Sequence, residues 1–328
     1  MEDPKQLILA DQNLRDICPV MDAGIDIATG EENNYEIKVR RDKWRSEYTF
    51  GNAFYIKETE YGGIIGEVDT NTAEDTISLL GMTWRGMLDK KIICPPPGSD
   101  YKTVSGELNL VLNDLVMEHF DDYFVVLQVD TGVSVTNYQF DRYCTLLSGI
   151  NKMLKSVGYR LQIRYIQQER GQPGYIELSA VPIVDYSEQI ELSQDSQLNF
   201  TFKNCRNGVN HLICLGKGEL QDRQVIDLYV QEDGSIGNEQ YYTGVREVAA
   251  TYEDTSSETD ELEEKGREKL QELMNSTSFS MDVETLNMDV AIGDIIGGRD
   301  YLTGLYAKKP IAKKKYKLEG GKTSLEYE

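Results

Sequence analysis

Residues able to do nucleophilic, acid–base or soft-metal chemistry are few in this chain. There are two histidines, His119 and His211, and five cysteines, Cys18, Cys94, Cys144, Cys205 and Cys214. Neither histidine lies in an HExxH pattern or near a GxSxG elbow, so histidine-based catalysis has little to stand on. Cys205, His211 and Cys214 have a spacing that a zinc site could use. However, "NHLICLG" reads as a strand, and residues three apart on a strand project to opposite faces, so His211 and Cys214 should not converge on one ion. An odd number of cysteines without close pairing suits reduced, mostly buried thiols. "LGKGEL" (Leu215 to Leu220) lacks the full spacing and the Ser or Thr of a phosphate-binding loop, and reads as a strand-ending turn. "VDTNTAEDT" (Val68 to Thr76) begins like a calcium loop, but the sixth position from Asp69 is Glu74, not the glycine such a loop needs, so it reads as a polar loop before a strand. Among 56 acidic residues some pair could always serve glycoside hydrolysis, and the sequence gives no separation in space. No metal, cofactor or catalytic residue is therefore assigned.

The charge balance narrows the partners. A formal net charge of -22 argues against wrapping a nucleic acid, whose phosphates are held by clustered Lys and Arg. One basic run stands out: Lys308, Lys309, Lys313, Lys314, Lys315 and Lys317, which on strands would protect an edge or meet acidic neighbours. The start, "MEDPKQLILADQ", lacks the pattern of a secretory signal, and no apolar run approaches a membrane span, so the expectation is a chain that folds in a cytoplasm without membrane insertion. With 328 residues, 40% of them hydrophobic, two or three domains can be filled.

The elements that must position these residues are mostly strands. From Leu7 to about Trp84, segments such as "LILAD", "YEIKVRR" and "AFYIKETEYGGIIGEV" alternate and are separated by Gly, Asn and Asp clusters. After "PPPG" the period changes: Ser105 is placed to cap a helix with Glu107 in its first turn, carrying Leu108, Leu112, Leu115, Val116 and Phe120. A second helix follows through Tyr143, Leu146, Leu147, Ile150, Met153, Leu154 and Val157, stopped by Gly158. "YRLQIRYIQ" and "YIELSAVPIVDY" then alternate as a hairpin, giving a small α/β unit. Strands resume from Leu198, with Asp233-Gly234 as a hairpin turn. They are interrupted by one helix near 257–275; from Thr251 to Glu272 there are nine acidic residues against three basic ones. The expected fold is mainly β with an α/β insertion: a first β-barrel domain at 1–98, a middle α/β domain at 99–197 and a second β-barrel domain at 198–328.

Between the first two segments lies "LLGMTWRGMLDKKIICPPPGSD", which sets a tryptophan beside an arginine between two glycines. The strand is expected to turn at Gly81 and Gly86, with Met87, Leu88 and Ile92 falling onto the barrel end. Trp84 would plug that end, its ring nitrogen meeting a backbone acceptor. Gly81, Trp84, Arg85 and Gly86 thus form a candidate structural barrel corner.

"GMTWRGMLDKKII" resembles the motif ending the first barrel of siphophage tail-hub proteins, which are similar in fold to the baseplate hub of contractile-tailed phages. "NGVNHLICLGKGELQDRQVIDLY" (Asn207 to Tyr229) resembles the start of their second barrel, and "AIGDIIGG" with "KKKYKLEGGKTSLEY" its closing strands. The resemblance implies a structural homotrimer at the virion tail tip, assembled in the cytoplasm of a bacterial host. Its implied partners are tail-tube and distal tail proteins and a tip fibre or spike, with DNA only passing through the lumen. Three subunits with two barrels each would offer six units to a six-fold tube and three-fold contacts to the tip. It also implies no catalytic residues here, since lytic activity in that family usually sits in a C-terminal extension and this chain ends at Glu328 after its last strand. The rival classes are a cell-wall-degrading tail-associated enzyme and a host-surface carbohydrate-binding module stacking sugars on its 20 tyrosines and two tryptophans.

Overall fold

A computed structural model describes residues 6–21, 23–120, 123–169, 171–188, 199–205, 208–255, 259–274, 276–282, 290–299, 302–304, 306–319 and 322–327. The chain forms two compact units, Met1–Phe200 with Ser280–Glu328, and Thr201–Phe279. The boundary at 197/198 and the limiting residues Ser257 and Asn275 expected for the acidic helix lie outside the described residues.

In the first unit, strands β1 (Leu7–Ala10), β2 (Asp16–Pro19), β3 (Gly24–Gly30), β4 (Asn34–Arg40), β5 (Ala53–Ile56), β6 (Gly62–Thr70) and β7 (Thr76–Thr83) lead into the short helix α1 (Trp84–Asp89). Alternation decides their facing: in β4 Tyr35, Ile37 and Val39 are buried while Asn34, Lys38 and Arg40 are exposed. The loop joining β6 and β7 is the polar one expected from "VDTNTAEDT", closed by Glu74 N–H donating to Asn71 O at 2.9 Å.

The middle segment holds β8 (Thr103–Glu107), α2 (Leu108–Met117), β9 (Phe124–Val126), β10 (Ser134–Gln139), α3 (Leu146–Ser156), β11 (Tyr159–Ile166) and β12 (Tyr175–Pro182). β11 and β12 pair antiparallel over their whole length, and β9 adds in parallel to β12. α2 and α3 bring Leu112, Leu115, Ile150, Met153 and Leu154 into one core with Leu161, Ile163 and Leu178. Tyr143, expected on the apolar face of α3, lies before the helix and is exposed, because Thr145 is the N-cap, its Oγ1 accepting Ser148 N–H. The cap of α2 differs from expectation. Ser105 lies inside β8, and Glu107 is the N-cap, its carboxylate accepting Leu110 N–H at 2.9 Å and also Thr131 N–H and Oγ1–H. A carboxylate can serve the helix start and the 129–133 loop together, which a single serine hydroxyl cannot.

The later segment contributes β13 (Asn199–Cys205), β14 (His211–Leu215), β15 (Val225–Val230), β16 (Ile236–Gly237), β17 (Ala249–Glu253), α4 (Thr259–Leu273), β18 (Ser276–Asp282), β19 (Ile295–Arg299), β20 (Tyr306–Pro310), β21 (Lys313–Glu319) and β22 (Lys322–Tyr327). In the second unit the sheet order is β16-β15-β14-β17. Its β15–β16 hairpin turns at Asp233-Gly234, with Gly234 at φ +84°, the left-handed conformation that glycine adopts without cost. α4 lays Leu262 and Leu270 on the face carrying Leu212, Cys214, Leu228 and Val230.

The large sheet of the first unit runs β22-β21-β3-β4-β7-β6-β5-β1-β2 and curls as a half-barrel. The chain is thus mainly β with helices in its middle segment, as expected. Strand β21 pairs with β3 from Lys313↔Gly30 to Leu318↔Ile25, so strands at the end of the sequence complete a sheet begun at its start.

Candidate functional site

The corner expected around Trp84 is built by a cap. Thr83 ends β7 in extended conformation, its Oγ1 accepts Gly86 N–H at 3.3 Å, and the chain turns directly into α1. Gly81 is not a turn, contrary to expectation: it lies within β7, where an added Cβ would come 2.1 Å from Ile64 O and 2.7 Å from Tyr35 Oη. Its lack of a side chain lets β6 and Tyr35 approach. Gly86 is the third residue of α1, just past the strand end, and an added Cβ there would come 2.6 Å from Asn33 O. Leu88 is fully buried and Met87 half-buried, but Ile92 is 39% exposed, so the apolar segment is shorter than expected.

Trp84 is fully buried and stacks over Tyr165 at 6.1 Å between centroids, with Tyr55 stacked on the same ring at 3.6 Å. Tyr165 Oη donates to Leu14 O at 3.2 Å, and Tyr55 Oη donates to Asp16 at 2.6 Å. Burial, reinforced by Asp16, pushes both phenols well above their ordinary range, so they stay neutral donors. The expected acceptor for Trp84 is missing: Nε1 has no hydrogen-bond partner among the described residues and faces Gly62, where an ideal Cβ would sit 2.5 Å away.

Arg85, 3% exposed, carries the charge of this corner. Its Nε donates to Glu60 at 2.8 Å and its Nη2 to Leu161 O at 3.1 Å, joining α1 to β11. Burial works to raise the Glu60 pKa, but the charges of Arg85, Lys314 and Arg160 and the hydrogen bond from Arg85 overcome it and hold the carboxyl below its ordinary value. Arg160 in turn donates to Asp294 at 2.6 Å. The fully buried Asp294 also accepts Val184 N–H and Ala291 N–H. Lys314, 5% exposed, donates to Val290 O at 3.0 Å and lies over the rings of Tyr61 and Tyr327. A buried charge network therefore ties β11, α1, the β5–β6 turn and the closing strands together. Glu60, Arg160 and Asp294 carried no signal in the sequence, because each looks like an ordinary surface charge until distant segments meet.

The other sequence candidates lie apart from this corner. His119, just beyond α2, lines a groove of about 750 Å³ with Asn13, Arg15, Met87, Phe120 and Tyr123. Burial lowers its pKa, and the described lining residues include no carboxylate, serine or cysteine to pair with it. His211 and Cys214 stand on opposite faces of β14, Cys214 fully buried in the core and His211 on the other side. The side chain of Cys205 lies outside the described residues. Gly218 makes the strand-ending turn at φ +95°. The lysine run meets acids and carbonyls of its own chain: Lys308 pairs with Asp185, Lys313 with Glu32 at 2.5 Å and Lys317 with Asp26 at 3.1 Å. Of the two expected roles these three lysines meet acidic neighbours, and Lys313 and Lys314 are buried, which edge protection would not require.

What this arrangement can do is hold layers together; its charged groups face one another inside the unit. The chain has the fold of a bacteriophage-type tail protein. It superposes on the 43 kDa tail protein of prophage MuSo2 from Shewanella oneidensis with a TM-score of 0.53 at 13% identity, covering 98% of this chain and 97% of that one. Looser similarity is found to the tail protein from Neisseria meningitidis MC58 (TM-score 0.49, 12% identity, 98% and 94% covered) and to prophage tail protein gp18 from Listeria monocytogenes EGD-e (0.46, 13%, 98% and 94%). No protein-family model and no curated protein matches the chain.

Proposed function

We propose that this chain is a structural, non-enzymatic hub protein of a phage or prophage tail tip or baseplate. The observation that carries the reading is the end-to-end likeness to a prophage tail protein, which spans 98% of this chain and leaves only about 3% of the other uncovered. On this reading the copies form a homotrimeric ring between the six-fold tail tube and three-fold tip components such as a fibre or spike, and DNA passes through its lumen. The segments 1–98, 99–197 and 198–328 act as two β regions flanking an α/β region, with the last segment lending β21 and β22 to the first sheet. Trp84, Arg85 and Gly86 serve as the structural corner where the first region meets the second, with Gly81 giving room to the strand that leads into it. The net charge of -22 suits a lumen that must not bind passing DNA.

The test is the solution mass by light scattering over a range of protein concentration and salt, alone and with tail-tube protein. The reading predicts a trimer, favoured by added salt because screening relieves repulsion between strongly acidic copies. A monomer under every condition would overturn it. So would release of soluble fragments from purified cell walls, lost on substituting a carboxylate.

A further inference from the structure

The second unit carries a cluster that the tail-hub reading does not use. On β14, His211 presents both ring nitrogens to carboxylates on either side. Its Nδ1 stands 2.6 Å from Glu247 Oε1, just before β17, and its Nε2 stands 2.9 Å from Asp227 Oδ1 on β15. The ring also stacks on Tyr229 of β15 at 4.4 Å between centroids. Ala249, its register partner on β17, is uncharged, and α4 packs on the opposite face of the sheet. Among the described residues, the titratable groups against the ring are Asp227, Tyr229 and Glu247. With its two carboxylates at opposite nitrogens, the group cannot converge on one metal ion, but it does suit a proton.

We propose that His211 is a proton-dependent clamp that locks edge strand β17 and the segment before it onto the sheet. As an imidazolium the ring donates one N–H to each carboxylate and spans β15, β14 and β17. On losing a proton, one nitrogen turns a lone pair toward a carboxylate, and that contact becomes repulsive. The Glu247 side is the one free to yield. β17 is an edge strand, joined in parallel to β14 alone in this sheet, whereas Asp227 sits on a strand paired on both sides. The segment 238–248 carries the fully exposed Val245; its start is held by Gln231, which donates to Glu239 O at 2.8 Å, and by Arg267, which donates to Asn238, and its end by Asn210, which donates to Arg246 O at 2.8 Å and accepts Val248 N–H at 2.9 Å, with the Asn210 and His211 N–H groups donating to Val248 O. Opening would thus be local, limited to the Glu247 turn and the start of β17.

The direction with pH follows from the raised pKa of the ring. Burial works to lower it, but the hydrogen bonds and charges of Asp227 and Glu247 outweigh that and lift it above its ordinary value of 6.5. The clamp is fully present below the unfolded-state value and is lost as pH rises through the folded one; between the two, each pH unit shifts the opening equilibrium about tenfold.

The test uses the full chain. Amide hydrogen exchange of peptides covering 238–253, corrected for intrinsic rates, is followed from pH 6 to 9 beside 15N-histidine NMR, in which only two histidines contribute. The proposal expects one histidine with both nitrogens protonated at pH 7, and protection of 238–253 that falls as that histidine titrates. His211→Gln should remove this pH dependence. Glu247→Gln, which keeps a hydrogen-bonding side chain of the same shape, should lower the titration midpoint and serves if the first variant folds poorly. A His211 titrating at or below 6.5, or the same pH-dependent exchange in His211→Gln, would overturn it.

Discussion

Replacing Arg85 with Met would leave Glu60 buried with its nearest counter-ion gone. The two side chains are 3% and 9% exposed and 2.8 Å apart, so solvent cannot take over the role of the guanidinium. Removing one partner of a buried pair costs about 3–5 kcal/mol. Two features set the position within that range: the hydrogen bond to Leu161 O is lost as well, but Lys314 and Arg160 still exert an attractive field on Glu60. The low end, about 3 kcal/mol, is therefore expected. Both tryptophans, Trp44 and Trp84, lie in the first unit, so urea unfolding followed by their fluorescence reports on the unit concerned. A second arm comes from pH. In the native chain the Glu60 pKa lies below its ordinary 4.5, so its ionised form stabilises the fold above that value and the contribution is lost as pH falls through the depressed one. In the variant, burial dominates and pushes the Glu60 pKa up, so protonation relieves the variant first. The stability gap between native and variant should narrow from pH 7 to pH 4. A gap under about 1 kcal/mol at pH 7, the level of an exposed ion pair, or a gap that does not narrow, would refute the reasoning.

Trp84→Ala should cost about 3–5 kcal/mol as a large-to-small change at a fully buried site, read by the same urea titration with Trp44 as the remaining fluorophore; unchanged stability would mean that the ring is not core. Gly266→Ala should destabilise the second unit despite alanine's helix propensity, worth about 1 kcal/mol, because overpacking costs about 1–3 kcal/mol. The new Cβ would meet Cys214 Sγ at 2.5 Å and Leu228 Cδ1 at 3.0 Å. Adding Cys214→Ala should recover part of the loss in thermal melts followed by circular dichroism, and a Gly266→Ala chain more stable than the native one would contradict this packing.

Local periodicity made much of the architecture legible. The alternation in "YRLQIRYIQ" became β11, the helical spacing from Leu146 to Leu154 became α3, and Asp233-Gly234 made its hairpin. These features are written within ten or so neighbouring residues. What was not legible depends on residues far apart in the chain. Gly81 reads as a turn because glycine usually punctuates, yet it is a strand position cleared for Tyr35 and the Ile64 carbonyl. Ser105 has the chemistry of a cap, but Glu107 takes the role because Thr131, 24 residues on, also needs its carboxylate. The candidate corner shows the same division: the burial of Trp84 follows from its size, whereas the Arg85–Glu60–Arg160–Asp294 network needs strand β11 and the closing segment to meet.

The charges, too, sort differently in space than in sequence. The helix α4 looks like a run of unopposed acid, yet Lys265 bonds Asp254 and Glu261, and Arg267 bonds Glu263, so its own bases quiet one flank. Glu264 and Glu268 remain exposed. The lysine strand might have answered them from a neighbouring copy, but Lys313 is buried against Glu32 and Lys314 against Tyr61, Tyr327 and the Val290 carbonyl. Freeing Lys313 for another subunit would strip Glu32 of the partner that holds its pKa down. Contact between α4 and Lys313 of a second copy would therefore exchange one ion pair for another with little net gain, and would uncover a buried side chain besides. An assembly of such acidic copies would have to overcome electrostatic repulsion, and the exposed acids of α4 would gain little from this lysine strand in doing so.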